Sequence, residues 1–261
     1  MLFLHGNASS IAEYVALQRF WYRQGISSFV FDYSGFGASG GSASLSHAVE
    51  DAGRVAKVFA DSAGAAARKV AMGSALGATV LLQAIDSVQP HVNGIVLEGV
   101  DASVRESAVR AGRLPKLLAP LVTDIGNNVT AAARVRVATL AVQSREDQRA
   151  PFADAQRVVD ALPVKASLIK HSRKGHSALL ASSRACDWAP VLVFMRIGTV
   201  PAAKVDSTDA CAAAKAAADS AKAAAAATAA AQTKGRPATK AAAKAPAKAP
   251  APTKAAPTKR P

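Results

Sequence analysis

Five short segments of this 261-residue chain hold groups that could do chemistry. They are His5-Gly6-Asn7-Ala8, Asp32-Tyr33-Ser34-Gly35-Phe36-Gly37-Ala38-Ser39-Gly40, Gly73-Ser74-Ala75-Leu76-Gly77, Ser144-Arg145-Glu146-Asp147 with Pro151 behind it, and Gly175-His176. A carboxylate and an imidazole are the groups from which proton transfer near neutral pH is assembled. Glycine-rich turns leave backbone N–H groups accessible to a developing negative charge. Taken singly the segments say little, because Asp147 alone reads as a solvated loop carboxylate and His176 alone as a surface histidine. None of the five histidines (His5, His47, His91, His171, His176) pairs with Cys186 or Cys211 at metal-ligand spacing, so no metal site is expected.

The elements that precede these segments give them their meaning. Met1 to Leu4, Phe29 to Phe31, Lys69 to Met72, Gly94 to Leu97, Thr139 to Val142 and Ser167 to Ile169 are short apolar runs without polar alternation, the pattern of strands buried on both faces. Between them, Ser9 to Gln24, Leu45 to Ser62, Leu76 to Val88, Phe152 to Leu162 and His176 to about Phe194 place apolar residues at helical spacing. Pro151 suits a helix first turn. Ser103 to Ala133 predicts only one or more helices over one end of the sheet. Strands alternating with helices predict right-handed crossovers and an α/β fold, a mostly parallel sheet with helices on both faces. Ligands of such sheets bind beyond the carboxyl ends of the strands. All five segments fall there, on one rim.

In that order and at those strand ends, the set resembles the α/β-hydrolase fold, in particular serine hydrolases with an HGNA oxyanion turn and a DY-x-G-x-G-x-S-x-G segment. The likeness runs from about Met1 to Phe194. It implies a Ser-Asp-His triad that hydrolyses an ester or related acyl bond of a small acyl-containing substrate, without a cofactor. The family's nucleophile sits inside G-x-S-x-G, and here Gly73 and Gly77 bracket Ala75. The position where serine is expected lacks the attacking oxygen. Ser74 stands one residue early, where a sharp elbow turns its oxygen away from the crevice. By the same resemblance Asp147 is the acid, His176 the base, and the N–H groups of Asn7 and Leu76 the oxyanion hole. His5, Asp32 and Ser39 take structural roles, and Trp21, Tyr22 and Trp188 core or rim packing. Glu98-Gly99-Val100-Asp101 replaces the Pro- and Phe-containing segment that the family carries after that strand. Two expectations follow: a hydrolase site without its nucleophile, or a pseudoenzyme that binds an acyl ligand without turnover. The family pattern places two strands and a hairpin before the HGNA strand, and this sequence begins at that strand. That predicts the Phe29 strand at a sheet edge, and an isolated chain that is unstable or self-associates through it.

Charge divides the chain a second time. The net charge is +14, and residues 197–261 hold 11 Lys+Arg against 3 Asp. They also hold 28 Ala, with Ile197, Val200 and Val205 as their only large aliphatic side chains, too little apolar area to offset the entropy of ordering. The expected organisation is an α/β domain over 1–196 and a disordered low-complexity tail over 197–261. From Thr233 the tail repeats Lys, Ala and Pro, a composition similar to linker-histone tails. It predicts salt-dependent, sequence-independent contact of residues 201–261 with nucleic acid or another polyanion, or a solubilising tail without a partner. Two cysteines are too few for a disulfide framework, the start lacks the pattern of a signal peptide, and the apolar run Val191 to Met195 falls far short of a membrane span. A cytoplasmic setting is the expectation.

Overall fold

Side chains along the strands alternate between two apolar clusters, and this period of two sets the layers. The computed structural model describes residues 1–199 apart from Ala8, Ser9, Ala66, Lys165, Ser172 and Arg173. The expectations for the tail over 201–261 fall outside the described residues. On β1 (Leu2–Leu4), Leu2 and Leu4 enter one cluster and Phe3 the other. On β3 (Val70–Ser74), Ala71 faces the first cluster while Val70 and Met72 face the second. On β4 (Gly94–Glu98) and β5 (Ala138–Ser144) the same division separates Ile95 and Leu97 from Val96, and Ala141 from Leu140 and Val142.

With β2 (Phe29–Val30) and β6 (Ala166–His171) these strands form one sheet among the described residues, ordered β2-β1-β3-β4-β5-β6. Every neighbouring pair is parallel. The Phe29 strand lies at an edge, as expected. α2 (Leu45–Ser62) covers the first face with Ala48, Ala52, Ala56 and Phe59; its first turn is closed by Ser44 Oγ, which accepts from His47 N. α3 (Leu76–Gln83), α4 (Ile85–Val88), α6 (Asn128–Ala132) and α7 (Phe152–Asp160) complete that layer. α1 (Val15–Arg23) and α8 (Ala189–Ile197) cover the second, where Trp21 and Trp188 are fully buried with ring centroids 5.5 Å apart. The parallel α/β sheet clothed on both faces agrees with the sequence reading.

Several details differ. The helix expected from His176 begins only at Ala189, with turns before it. Pro190, which has no N–H to give, occupies the first turn of α8, and Trp188 Nε1 donates to Ser182 O at 2.9 Å, pinning the preceding turns. The apolar spacing of Ala178 and Leu179 comes from turns pressed onto the core, not from a helix. The run from Leu76 breaks at Ala84 into α3 and α4. The irregular stretch resolves into α5 (Val104–Arg110), a 3-10 turn over Ala119–Leu121 and α6. Tyr22 is 74% exposed, so it packs in no core. No helix among the described residues is long and apolar enough to cross a membrane.

Candidate active site

Strand β3 and helix α3 meet at Ala75, whose φ of 51° and ψ of −114° belong to a region that residues with a side chain rarely enter. Its neighbours enforce the bend. A Cβ on Gly73 would lie 2.3 Å from Gly77 O, and a Cβ on Gly77 would lie 1.9 Å from Leu4 O. Ala75 N donates to Glu98 O at 2.9 Å, tying the bend to the end of β4. The turn after β1 lies over the same spot, since a Cβ on Gly6 would be 3.8 Å from Ala75 Cβ. Strain of this kind costs on the order of 1–3 kcal/mol, and glycine escapes it. We expect Ala75→Gly to raise stability by about 1 kcal/mol, glycine's greater unfolded-state entropy taking back part of the gain. A lower urea midpoint for this variant would show that residue 75 is unstrained.

The loop after β5 supplies the carboxylate. Asp147 Oδ1 accepts from Arg149 N and Ala150 N, both at 2.9 Å, and Oδ2 accepts from His176 Nδ1 at 2.8 Å. The Asp147 side chain is 1% exposed and that of His176 22%. Burial alone would raise the Asp147 carboxyl, but the hydrogen bonds from His176, Ala150 N and Arg149 N and the His176 charge outweigh it and hold the carboxyl below its usual range. The Asp147 hydrogen bond raises the imidazole above the ordinary histidine value, assisted by the charges of Asp147 and Glu98 and opposed by burial and Arg149.

Imidazole and elbow converge over Gly99. A Cβ there would lie 3.5 Å from His176 Cε1 and 3.9 Å from Ala75 N, and its φ of 64° is one that glycine adopts without strain. Asn7, Ala75, Leu76 and His176 all line one cleft of about 1030 Å³, whose walls add Leu17, Phe20 and Leu180. The N–H groups of Asn7 and Leu76 donate to no acceptor among the described residues. The geometry thus gathers every position read from the sequence: Asn7, Gly73, Ala75, Leu76, Gly77, Asp147 and His176.

Ser74 is fully buried, and its hydroxyl donates to Glu98 Oε2, with Ser177 Oγ 3.3 Å away. His5, Asp32 and Ser39 serve structure. Ser39 Oγ donates to Asp32 O at 2.8 Å, Ile11 N donates to Asp32 Oδ1 at 2.8 Å, and the His5 ring packs on Tyr33.

Glu98 is the residue that sequence reasoning passed over. Only 3% exposed, it joins the elbow through Ser74 to the turn after His176, where it also accepts from Leu179 N. Burial pushes its carboxyl up to about 7, helped by the Asp147 charge and opposed by the Ser74 hydrogen bond, the His176 charge and Leu179 N–H. A polar residue closing the apolar run Gly94 to Leu97 was the available signal. Between the ordinary value of 4.5 and about 7, the folded chain keeps a proton that the unfolded chain has released. Stability attributable to this group is therefore full below that window and lost as pH rises through it. We expect the wild-type chain to lose about 3 kcal/mol relative to Glu98→Gln across the window. Urea unfolding at a series of pH values reads this difference, which includes the smaller change that loss of the Glu98 charge makes in the His176 contribution. Parallel stability curves for the two chains would contradict it.

Comparison with known proteins agrees with the fold. The profile of the serine aminopeptidase S33 family matches residues 1–194. No match was found among the curated proteins. Among solved structures the chain is similar to the Paleococcus ferrophilus monoacylglycerol lipase, at 17% identity and a TM-score of 0.52, over 67% of this chain and 85% of that one. It is similar to α/β hydrolase domain-containing protein 10 from mouse, at 17% identity and a TM-score of 0.54, over 75% of this chain and 87% of that one. A Pyrococcus furiosus esterase aligns at 18% identity with a TM-score of 0.59, over 75% of this chain and 81% of that one. At these identities the structural likenesses speak for the fold alone, whereas the family profile spans the whole sheet and every position of the cleft just described, and the chain belongs to the serine aminopeptidase S33 family of α/β hydrolases.

Proposed function

We propose that the cleft is a serine-hydrolase site for a small ester or related acyl compound from which the nucleophile is missing, so that the chain binds such a ligand without turning it over. One observation carries the reading. A buried carboxylate and a histidine 2.8 Å apart converge with residue 75 on Gly99 while that residue holds a strained elbow. With Nδ1 engaged by Asp147, His176 Nε2 is left to accept a proton. A serine at 75 would supply that proton and attack the acyl carbon, and the N–H groups of Asn7 and Leu76 would receive the charge on the carbonyl oxygen. His176 would then protonate the departing alcohol, and water, activated by the same histidine, would release the acid. Ala75 presents a methyl group, so the first bond cannot form.

The test compares the wild-type chain with Ala75→Ser, using a fluorophosphonate probe and a short-chain activated ester, with folding followed by circular dichroism. Labelling confined to Ala75→Ser supports the reading. Two folded chains that both stay unlabelled would remove the hydrolase half of it. Labelling of the wild-type chain would put another nucleophile, Ser74 first, in place of residue 75.

A further inference from the structure

Beside the cleft, the segment between α5 and α6 leaves Leu117, Leu118, Leu121, Val122 and Ile125 in water, with Leu117 and Leu121 more than 80% exposed. Half of the exposed large hydrophobic residues of the described chain lie within these nine positions. Scattered apolar residues on a surface need no explanation, but a contiguous group does. The segment is not loosely held. Ser103 Oγ donates to Asp124 Oδ2 at 2.6 Å, Arg105 Nη1 to Val122 O at 3.1 Å, and Val104 N to Gly126 O at 3.1 Å. The backbone is fixed from beneath while the aliphatic side chains point outward.

Two exposed cations, Arg113 and Lys116, stand at the amino end of this group, and neither has an ion-pair partner among the described residues. Arg113, just before the group, and Val104, whose N–H holds Gly126 O just after it, both line the cleft, so the two ends of the segment meet the cleft wall. Aliphatic side chains flanked by unpaired cations match the border between acyl chains and anionic headgroups. A second copy of the chain fits less well, because it would bring the same two cations against this surface.

We propose that the Leu117–Ile125 surface docks onto an anionic lipid bilayer and turns the mouth of the cleft toward it. That the bilayer supplies the cleft's acyl ligand rests on the function proposed above; the docking does not.

Co-sedimentation of the full chain with vesicles tests it, using phosphatidylcholine alone and equal parts phosphatidylcholine and phosphatidylglycerol. The wild-type chain is expected to sediment with the anionic vesicles. A Leu117→Ser/Leu121→Ser chain is expected to bind at least about tenfold more weakly with an unchanged circular dichroism spectrum, since both side chains are already in water. Trp21 and Trp188 are fully buried and give a constant background, so a Leu117→Trp reporter should shift its emission to the blue only when anionic vesicles are added. Equal binding by wild type and double variant would assign the affinity to residues 201–261 and overturn the proposal. So would no sedimentation at all, or a dimer in sedimentation velocity that the double variant abolishes. The assay needs no turnover, so it stands whether or not Ala75→Ser hydrolyses an ester.

Discussion

Ala75→Ser is expected to turn over a short-chain activated ester on the order of 10³-fold faster than the wild-type chain, or more. The size of the effect follows from how much of the site is already in place. Loss of a triad nucleophile removes most of the rate and leaves only what binding and oxyanion donors supply. Here Asp147 is fixed by two backbone N–H groups, His176 is fixed by Asp147, and residue 75 already has the bend. The added hydroxyl therefore has no scaffold to build. Its rate should rise with pH as His176 loses its proton, with a midpoint above the ordinary histidine value of 6.5 because Asp147 favours the charged ring. Adding Glu98→Gln should lower that midpoint, since Glu98 is among the charges that raise it. An initial-rate series against pH reads both shifts. An Ala75→Ser chain that folds but is no faster than wild type would mean that the pocket, not the missing oxygen, has failed.

Gly77→Ala is expected to lower stability by about 4 kcal/mol or more, enough to leave little folded chain. The added carbon would sit 1.9 Å from Leu4 O, 2.5 Å from Leu4 C and 2.8 Å from His5 O, all of them backbone atoms at the end of β1. A flexible side chain could yield, but these atoms belong to a strand paired on both sides with β2 and β3. Moving them by about an ångström would disturb the sheet on either side, because close-packed interiors transmit strain. Gly40→Ala is the control: nothing lies within 4 Å of its Cβ position, and a change within about 0.5 kcal/mol is expected. Urea unfolding of the three chains measures the difference, and a Gly77→Ala midpoint equal to the wild-type one would contradict the packing argument.

Much of this site could be read from the chain because its parts are local. Each strand ends in a short run of distinctive residues, and a parallel sheet brings such ends to one rim whatever the details between them. Gly73 and Gly77 were legible as a spacing, and the structure adds that one excludes a side chain against α3 and the other against β1. What escaped depends on contacts across the chain. Glu98 meets Ser74 from 24 positions away, and Ser177 from 103 positions away adds its hydroxyl to the same pair. No periodicity within either segment announces that meeting. The helix expected from His176 failed for a related reason, because burial of Ala178 and Leu179 in a turn imitates the apolar face of a helix. The exposed aliphatic group at 117–125 was hidden too, since only the fold reveals that those side chains face water.

Ala75 keeps its left-handed bend although the hydroxyl that such a bend would present is absent. The bend is held from outside, by the close packing at Gly73 and Gly77 and by the Glu98 carbonyl, and none of these contacts uses the side chain of residue 75. Alanine and serine codons differ at a single base. The triad proposed above is thus one nucleotide change from this sequence, and that route stays open for as long as Gly77 does.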